Sequence, residues 1–144
     1  MSVVAVIGGQ WGDEGKGKII DLLSERANMV ARFSGGSNAG HTVLNPYGEF
    51  RMHLVPSGIF HPEVVCIIGN GVVVDPKTLL EELESLRSRG VETKNLYISD
   101  RAHLVMPYHL LLDSLEEEYD EEGKPLAQLR ELNRPYVDKV ERLG

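Results

Sequence analysis

Gly8–Ile19, GGQWGDEGKGKI, follows directly on the apolar run Val3–Ile7, VVAVI. That order decides the fold. Five apolar residues in a row read as a strand buried on both faces. Glycines after a strand, and a lysine pair (Lys16 and Lys18) opening a helical pattern, are how a parallel sheet presents a phosphate to a helix N-terminus. The glycines let backbone N–H groups approach the oxygens, and the helix end adds a partial positive charge. Gly12, Gly17 and Lys18 fit the P-loop frame of Gly, four residues, Gly, Lys. Ile19 stands where that frame has its Mg²⁺-binding hydroxyl, so Asp13 becomes the obvious oxygen for a metal. As a solvated loop carboxylate, Asp13 would only oppose phosphate binding. Mg²⁺ ligand and general base are the roles that suit it.

Working outward, Lys16 to about Ala27 carries Ile19, Ile20, Leu22, Leu23 and Ala27 as a helical stripe. Asn28–Ser34 reads as the next strand, which completes a β-loop-α-β unit with a right-handed connection. His41–Leu44 and Glu49–Val55 flank the turn Asn45-Pro46-Tyr47-Gly48, so this part is a hairpin. Val64–Ile68 is another buried strand. Asp75 is a good N-cap and Pro76 suits the first helical position. Leu79, Leu80, Leu83 and Leu86 form one face of that helix, and Gly90 stops it. Asn95–Ser99 is a short strand, Pro107 to about Tyr119 a helix with Tyr108, Leu111, Leu112, Leu115 and Tyr119 in register. Glu116–Glu122 is a solvated acidic stretch. From Leu126 on, Leu129, Leu132, Tyr136, Val140 and Leu143 repeat at helical spacing, with Pro135 kinking or starting part of that helix. The expectation is an α/β fold over residues 1–144 as a single domain, with a mostly parallel sheet flanked by helices, P-loop-like phosphate-binding turns and an inserted β-hairpin.

The chain has 144 residues, 42% of them hydrophobic and 26% charged, with a formal net charge of −7. This is the composition of a globular protein with one core. The negative balance argues against nucleic acid as a partner, so phosphate affinity must be local. The single Cys66 sits in an apolar run and reads as a core thiol; one cysteine excludes an internal disulfide framework. No apolar run approaches the ~20 residues of a membrane span. The N-terminus lacks a signal-type segment, which makes the cytoplasm the default compartment.

A second glycine-rich loop, Ser34–Thr42 (SGGSNAGHT), follows the second strand. It could be a plain turn, but Gly40 can offer an unshielded carbonyl to a metal. His41 can donate a hydrogen bond to an oxygen that gains negative charge. Ile68-Gly69-Asn70-Gly71-Val72 is a third strand-then-glycine turn. Ligands of open α/β sheets sit at the carboxyl ends of strands, so the three turns would line one crevice if their strands are adjacent. His53, His61, His103 and His109 show no metal-ligand spacing, and structural or surface roles suit them.

QWGDEGKGK (Gln10–Lys18), GGSNAGHT (Gly35–Thr42), HLVPSGI (His53–Ile59) and IGNGVVVDP (Ile68–Pro76) together resemble the adenylosuccinate synthetase family, over at least residues 3–113. The resemblance implies GTP-dependent joining of IMP and L-aspartate to adenylosuccinate in purine synthesis, by way of a 6-phosphoryl-IMP intermediate. It implies that Asp13 takes the N1 proton of IMP and, with the Gly40 carbonyl, holds Mg²⁺, while His41 stabilises charge and acts as acid. Gly12, Asp13, Glu14, Gly15, Lys16, Gly17 and Lys18, with Gly40, His41 and Thr42, would cradle GTP. Asp13, Glu14, Gly15 and Lys16, with Asn38, Ala39, Gly40 and His41, would face IMP. Arg142 matches an arginine that reaches the IMP phosphate of the neighbouring subunit in the family's homodimer. Family members are roughly three times as long. LAQLRELN (Leu126–Asn133) stands where the family has a Gly-Thr-Thr segment, although Tyr136, Asp138 and Lys139 persist beyond it. Two readings follow: a ligase, or a shortened homologue that binds GTP or IMP without turnover.

Overall fold

The computed structural model describes residues 2–8, 15–38 and 40–116. Element order is α1 (Lys16–Ser24), β1 (Met29–Arg32), β2 (His41–Asn45), β3 (Gly48–Met52), a 3₁₀ turn (Ser57–Phe60), β4 (Val65–Ile68), β5 (Val73–Val74), α2 (Pro76–Ser88), β6 (Leu96–Ile98), β7 (His103–Leu104) and α3 (Pro107–Glu116). Three strands form a parallel sheet in the order β1-β4-β6. Met29 pairs with Val65 at one end of β1 and Arg32 with Ile68 at the other. Cys66 to Ile68 pair with Leu96 to Ile98. β5 and β7 form a second, two-stranded parallel ladder. β2 and β3 are the expected antiparallel hairpin, and the Asn45 side chain accepts from the Tyr47 N–H at its turn. The α/β class, the parallel sheet and the inserted hairpin therefore stand as read from the sequence.

The core lies between hairpin, sheet and α2. Val43, Phe50, Met52, Leu54, Ile59, Cys66, Ile68, Val74, Leu79 and Leu86 belong to one buried cluster. The Phe50 and Phe60 rings lie 5.0 Å apart, and the Arg89 guanidinium covers Phe50 at 4.6 Å. α2 begins as its caps dictate: Asp75 accepts from the Lys77 N–H at 3.1 Å and from the Thr78 hydroxyl at 2.6 Å. It ends before Gly90, whose φ of 83° suits the residue type.

Four sequence expectations are corrected. Val3–Ile7 is not a strand: the segment pairs with nothing in the sheet, and Val3 is 92% exposed. A strand needs a neighbour to satisfy its ladder, and among the described residues none is offered. The α1 stripe is likewise open. Ile19, Leu22 and Leu23 are exposed and Ser24 is the buried residue of that helix. On α2, Leu80 points away from the core at 65% exposure while Glu82 is buried. On α3, Tyr108 and Leu111 are exposed while His109 is buried, its Nδ1 accepting from the Met106 N–H across the helix start. The helix expected from Leu126, the acidic stretch beyond Glu116 and the segment 126–133 lie outside the described residues.

Candidate functional site

The second and third glycine turns meet because β1 and β4 are neighbours. Gly69 N–H donates to the Arg32 carbonyl at 2.9 Å, and Val73 N–H to the Gly35 carbonyl at 2.9 Å. Gly35 and Val72 form a parallel bridge. The approach is so close that a Cβ on Gly71 would lie 2.0 Å from the Phe33 carbonyl oxygen. The Arg32 guanidinium folds back over the second loop and donates to the Gly36 carbonyl at 2.7 Å.

The N-terminus of α1 closes the other side. Gly15, with φ 79°, precedes the helix and accepts from the Lys18 and Ile19 N–H groups. Lys16 and Lys18 fall in its first turn. Gly17 faces β2 directly: a Cβ there would come within 2.5 Å of the His41 ring. The absence of a side chain at Gly17 is therefore what admits the imidazole. His41 is partly buried, its Nε2 lying 2.8 Å from the Ser57 hydroxyl and 3.3 Å from the Asp21 carboxylate. Both contacts engage the same nitrogen and leave Nδ1 on the opposite edge of the ring.

The loop itself is seated on His53. The His53 Nδ1 lies 2.9 Å from the Ser37 carbonyl, and a Cβ on Gly40 would come within 2.8 Å of the same ring. Asn38 opens instead into a cleft of about 480 Å³ that Ser37, Arg51, His53, Asp75 and Thr78 also line. Thr42 lies on the exposed side of β2, opposite Arg51. The structure thus brings Gly15, Lys16, Gly17, Lys18, Asn38, Gly40 and His41 to the ends of neighbouring elements. Gly12, Asp13, Glu14, Ala39 and Arg142 lie outside the described residues. For His53 the sequence left a structural or a surface role; half-buried and bonded to the Ser37 carbonyl, it takes the structural one, against the candidate loop.

Glu82 carries no sequence motif. It is 7% exposed, and its carboxylate accepts the N–H groups of His53, Leu54 (3.1 Å) and Val55 (2.9 Å). The signal available was its position: residue 82 shares a helical face with Leu79, Leu83 and Leu86. Among the described residues no three His, Cys, Asp or Glu side chains could jointly hold a metal.

Fold and site define a parallel α/β protein in which two glycine-rich turns meet at the carboxyl ends of the neighbouring strands β1 and β4. The family model for adenylosuccinate synthetase matches residues 5–144. The chain is 57% identical to the adenylosuccinate synthetase of Dehalococcoides mccartyi strain 195 and 58% identical to that of Carboxydothermus hydrogenoformans, over all of its 144 residues and 34% of either relative. Among solved structures, fully ligated adenylosuccinate synthetase from Plasmodium falciparum matches with a TM-score of 0.77 at 40% identity, over 94% of this chain and 32% of that one. Succinoaminodeoxyadenylate synthetase of cyanophage S-2L, bound to dGMP and to dATP as an energy donor, matches with a TM-score of 0.64 at 25% identity, over 92% of this chain and 36% of that one. The chain belongs to the adenylosuccinate synthetase family, and it spans about a third of the length of the curated relatives it matches.

Proposed function

We propose that this chain carries the phosphoryl-transfer site of a ligase that joins IMP and L-aspartate to adenylosuccinate, with GTP converted to GDP and phosphate. The observation that supports it best is the His41 ring lodged against Gly17, which ties the NAGH loop to the helix opened by the phosphate lysines. Asp13 takes the proton from N1 of IMP. The electron pair this releases reaches the 6-oxygen, which attacks the γ-phosphorus of GTP, and GDP leaves. The aspartate amine then attacks C6, phosphate departs with the former 6-oxygen, and the nitrogen gives up a proton. His41, steadied at Nε2 by Ser57 and Asp21, turns Nδ1 toward the oxygens that gain charge. Gly12–Lys18 and Gly40–Thr42 cradle GTP, and Glu14, Gly15, Lys16, Asn38 and Ala39 face IMP. The oxygen donors, the Asp13 carboxylate and the Gly40 carbonyl, suit a hard cation, and no side chain at Gly40 stands in its way. Mg²⁺ held there would neutralise phosphate charge. A cytoplasmic homodimer in which Arg142 reaches the neighbour's IMP phosphate completes this reading, which rests on the family resemblance.

A second reading of the same glycine loops is binding of GTP and IMP without turnover. Adenylosuccinate formation from IMP, aspartate and Mg·GTP, followed by chromatography, separates the two. A self-sufficient ligase turns over, and Asp13→Asn slows it by about 10² or more. A binding module shows no turnover yet takes up Mg·GTP or IMP in calorimetry, with Asp13→Asn binding nearly as well. Neither turnover nor binding would sink both readings.

A further inference from the structure

We propose that Glu82 is a positioning residue for the Ser37–His41 loop, acting through the backbone and ring of His53; this rests on the ligase reading of that loop. Glu82 is far from the loop in sequence and comes from α2, yet it lines the same cleft as Ser37, Asn38 and His53. Its two oxygens take three successive N–H groups, those of His53, Leu54 and Val55. A buried carboxylate is costly unless hydrogen-bonded, and here it finds donors only if residues 53–55 hold one conformation. That conformation sets the His53 Cα and thereby the ring. The ring meets the Ser37 carbonyl at 2.9 Å through Nδ1 and fills the space where a Gly40 side chain would be. Gly40 is also pressed from behind, since a Cβ there would lie 3.2 Å from the Met52 carbonyl oxygen. Ser37 and Gly40 are thus laid on a surface whose height is fixed by Glu82.

The residue type follows from this geometry. A carboxylate presents acceptors only, and three converging N–H donors require that. Glutamine has the same shape, but its NH₂ would face an N–H and leave two donors in competition for one oxygen. Aspartate would fall short by one methylene. Glu81, its neighbour on α2, is exposed and has no such role.

Amide hydrogen exchange at 53–55 and amide chemical shifts of the loop, both on the whole 144-residue chain, test the proposal, comparing the wild type with Glu82→Gln, His53→Ala and the control Glu81→Gln. In Glu82→Gln, exchange should quicken at 53–55 and the resonances of Ser37, Asn38 and Gly40 should move, while Glu81→Gln behaves as wild type. His53→Ala keeps the backbone bonds to Glu82 and removes only the ring, so it answers the question even if Glu82→Gln does not fold. It should leave 53–55 protected and the melting temperature nearly unchanged. It should move the same loop resonances and weaken binding of Mg·GTP or IMP about tenfold. A Glu82→Gln chain whose loop resonances stay in place, or a His53→Ala chain that binds as the wild type does, would overturn the positioning role and leave Glu82 a fold anchor. If the wild type binds neither Mg·GTP nor IMP, the ligase reading fails, and the ligand-free spectra still decide what Glu82 positions.

Discussion

At the scale of single residues, Cys66 is the most telling side chain outside the candidate site. It is fully buried in the central strand β4, and burial pushes its thiol from 9.0 up to about 11 because the thiolate cannot be solvated there. An unfolded chain ionises this group near 9 while the folded chain keeps the proton until about 11. The unfolded state therefore binds fewer protons in that interval, and stability falls as pH rises from about 9 to about 11. Below 9 the group contributes no slope. Urea midpoints measured across this range should show the decline in the wild type and a shallower one in Cys66→Ala. At pH 8 a thiol reagent should react only as fast as the chain opens. The sequence was sufficient for this residue because a cysteine inside VVCII has apolar neighbours by covalent necessity. It was not sufficient for Glu82, whose donors are supplied by residues 53–55 from another element.

At the scale of elements, α2 shows which local signals are self-contained. Asp75 caps the helix with both carboxylate oxygens, to the Lys77 N–H and the Thr78 hydroxyl. Asp75→Ala should cost about 1 kcal/mol, read as a lower urea midpoint with an unchanged slope; an unchanged midpoint would mean that water replaces the cap without loss. Asp75, Pro76 and Gly90 were legible because cap chemistry acts within four residues. The inward face was only partly legible. Leu79, Leu83 and Leu86 turn inward as expected, but Leu80 lies at the margin of the stripe, and the buried margin on the other side belongs to Glu82. Val3–Ile7 shows the converse. Its apolar run announces a need for cover, and the cover must come from a partner strand that a run of valines does not specify.

At the scale of the whole molecule, the described residues leave much apolar surface to water. Val3, Val4 and Ile7, the α1 residues Ile19 and Leu22, and Met29, Phe33 and Tyr97 at the sheet are all exposed. Surfaces of this kind are sticky. Sedimentation of the chain should show association that grows with concentration, accompanied by binding of a hydrophobic dye. Ile19→Lys with Leu22→Lys should reduce both while leaving the thermal midpoint within a few degrees, since both side chains are at least half exposed. A chain that stays monomeric and binds no dye would show that these groups cover one another. The parallel pairing also orders events during synthesis. The hairpin closes within His41–Met52, on a scale of about 1–10 μs. Cys66 must wait for Leu96 to leave the ribosome before β6 can join β4. At about 5–20 residues per second, that wait is on the order of a few seconds. For that interval the nascent chain holds a finished hairpin beside a central strand with one bare edge, and a chaperone that shields extended backbone would find its substrate there.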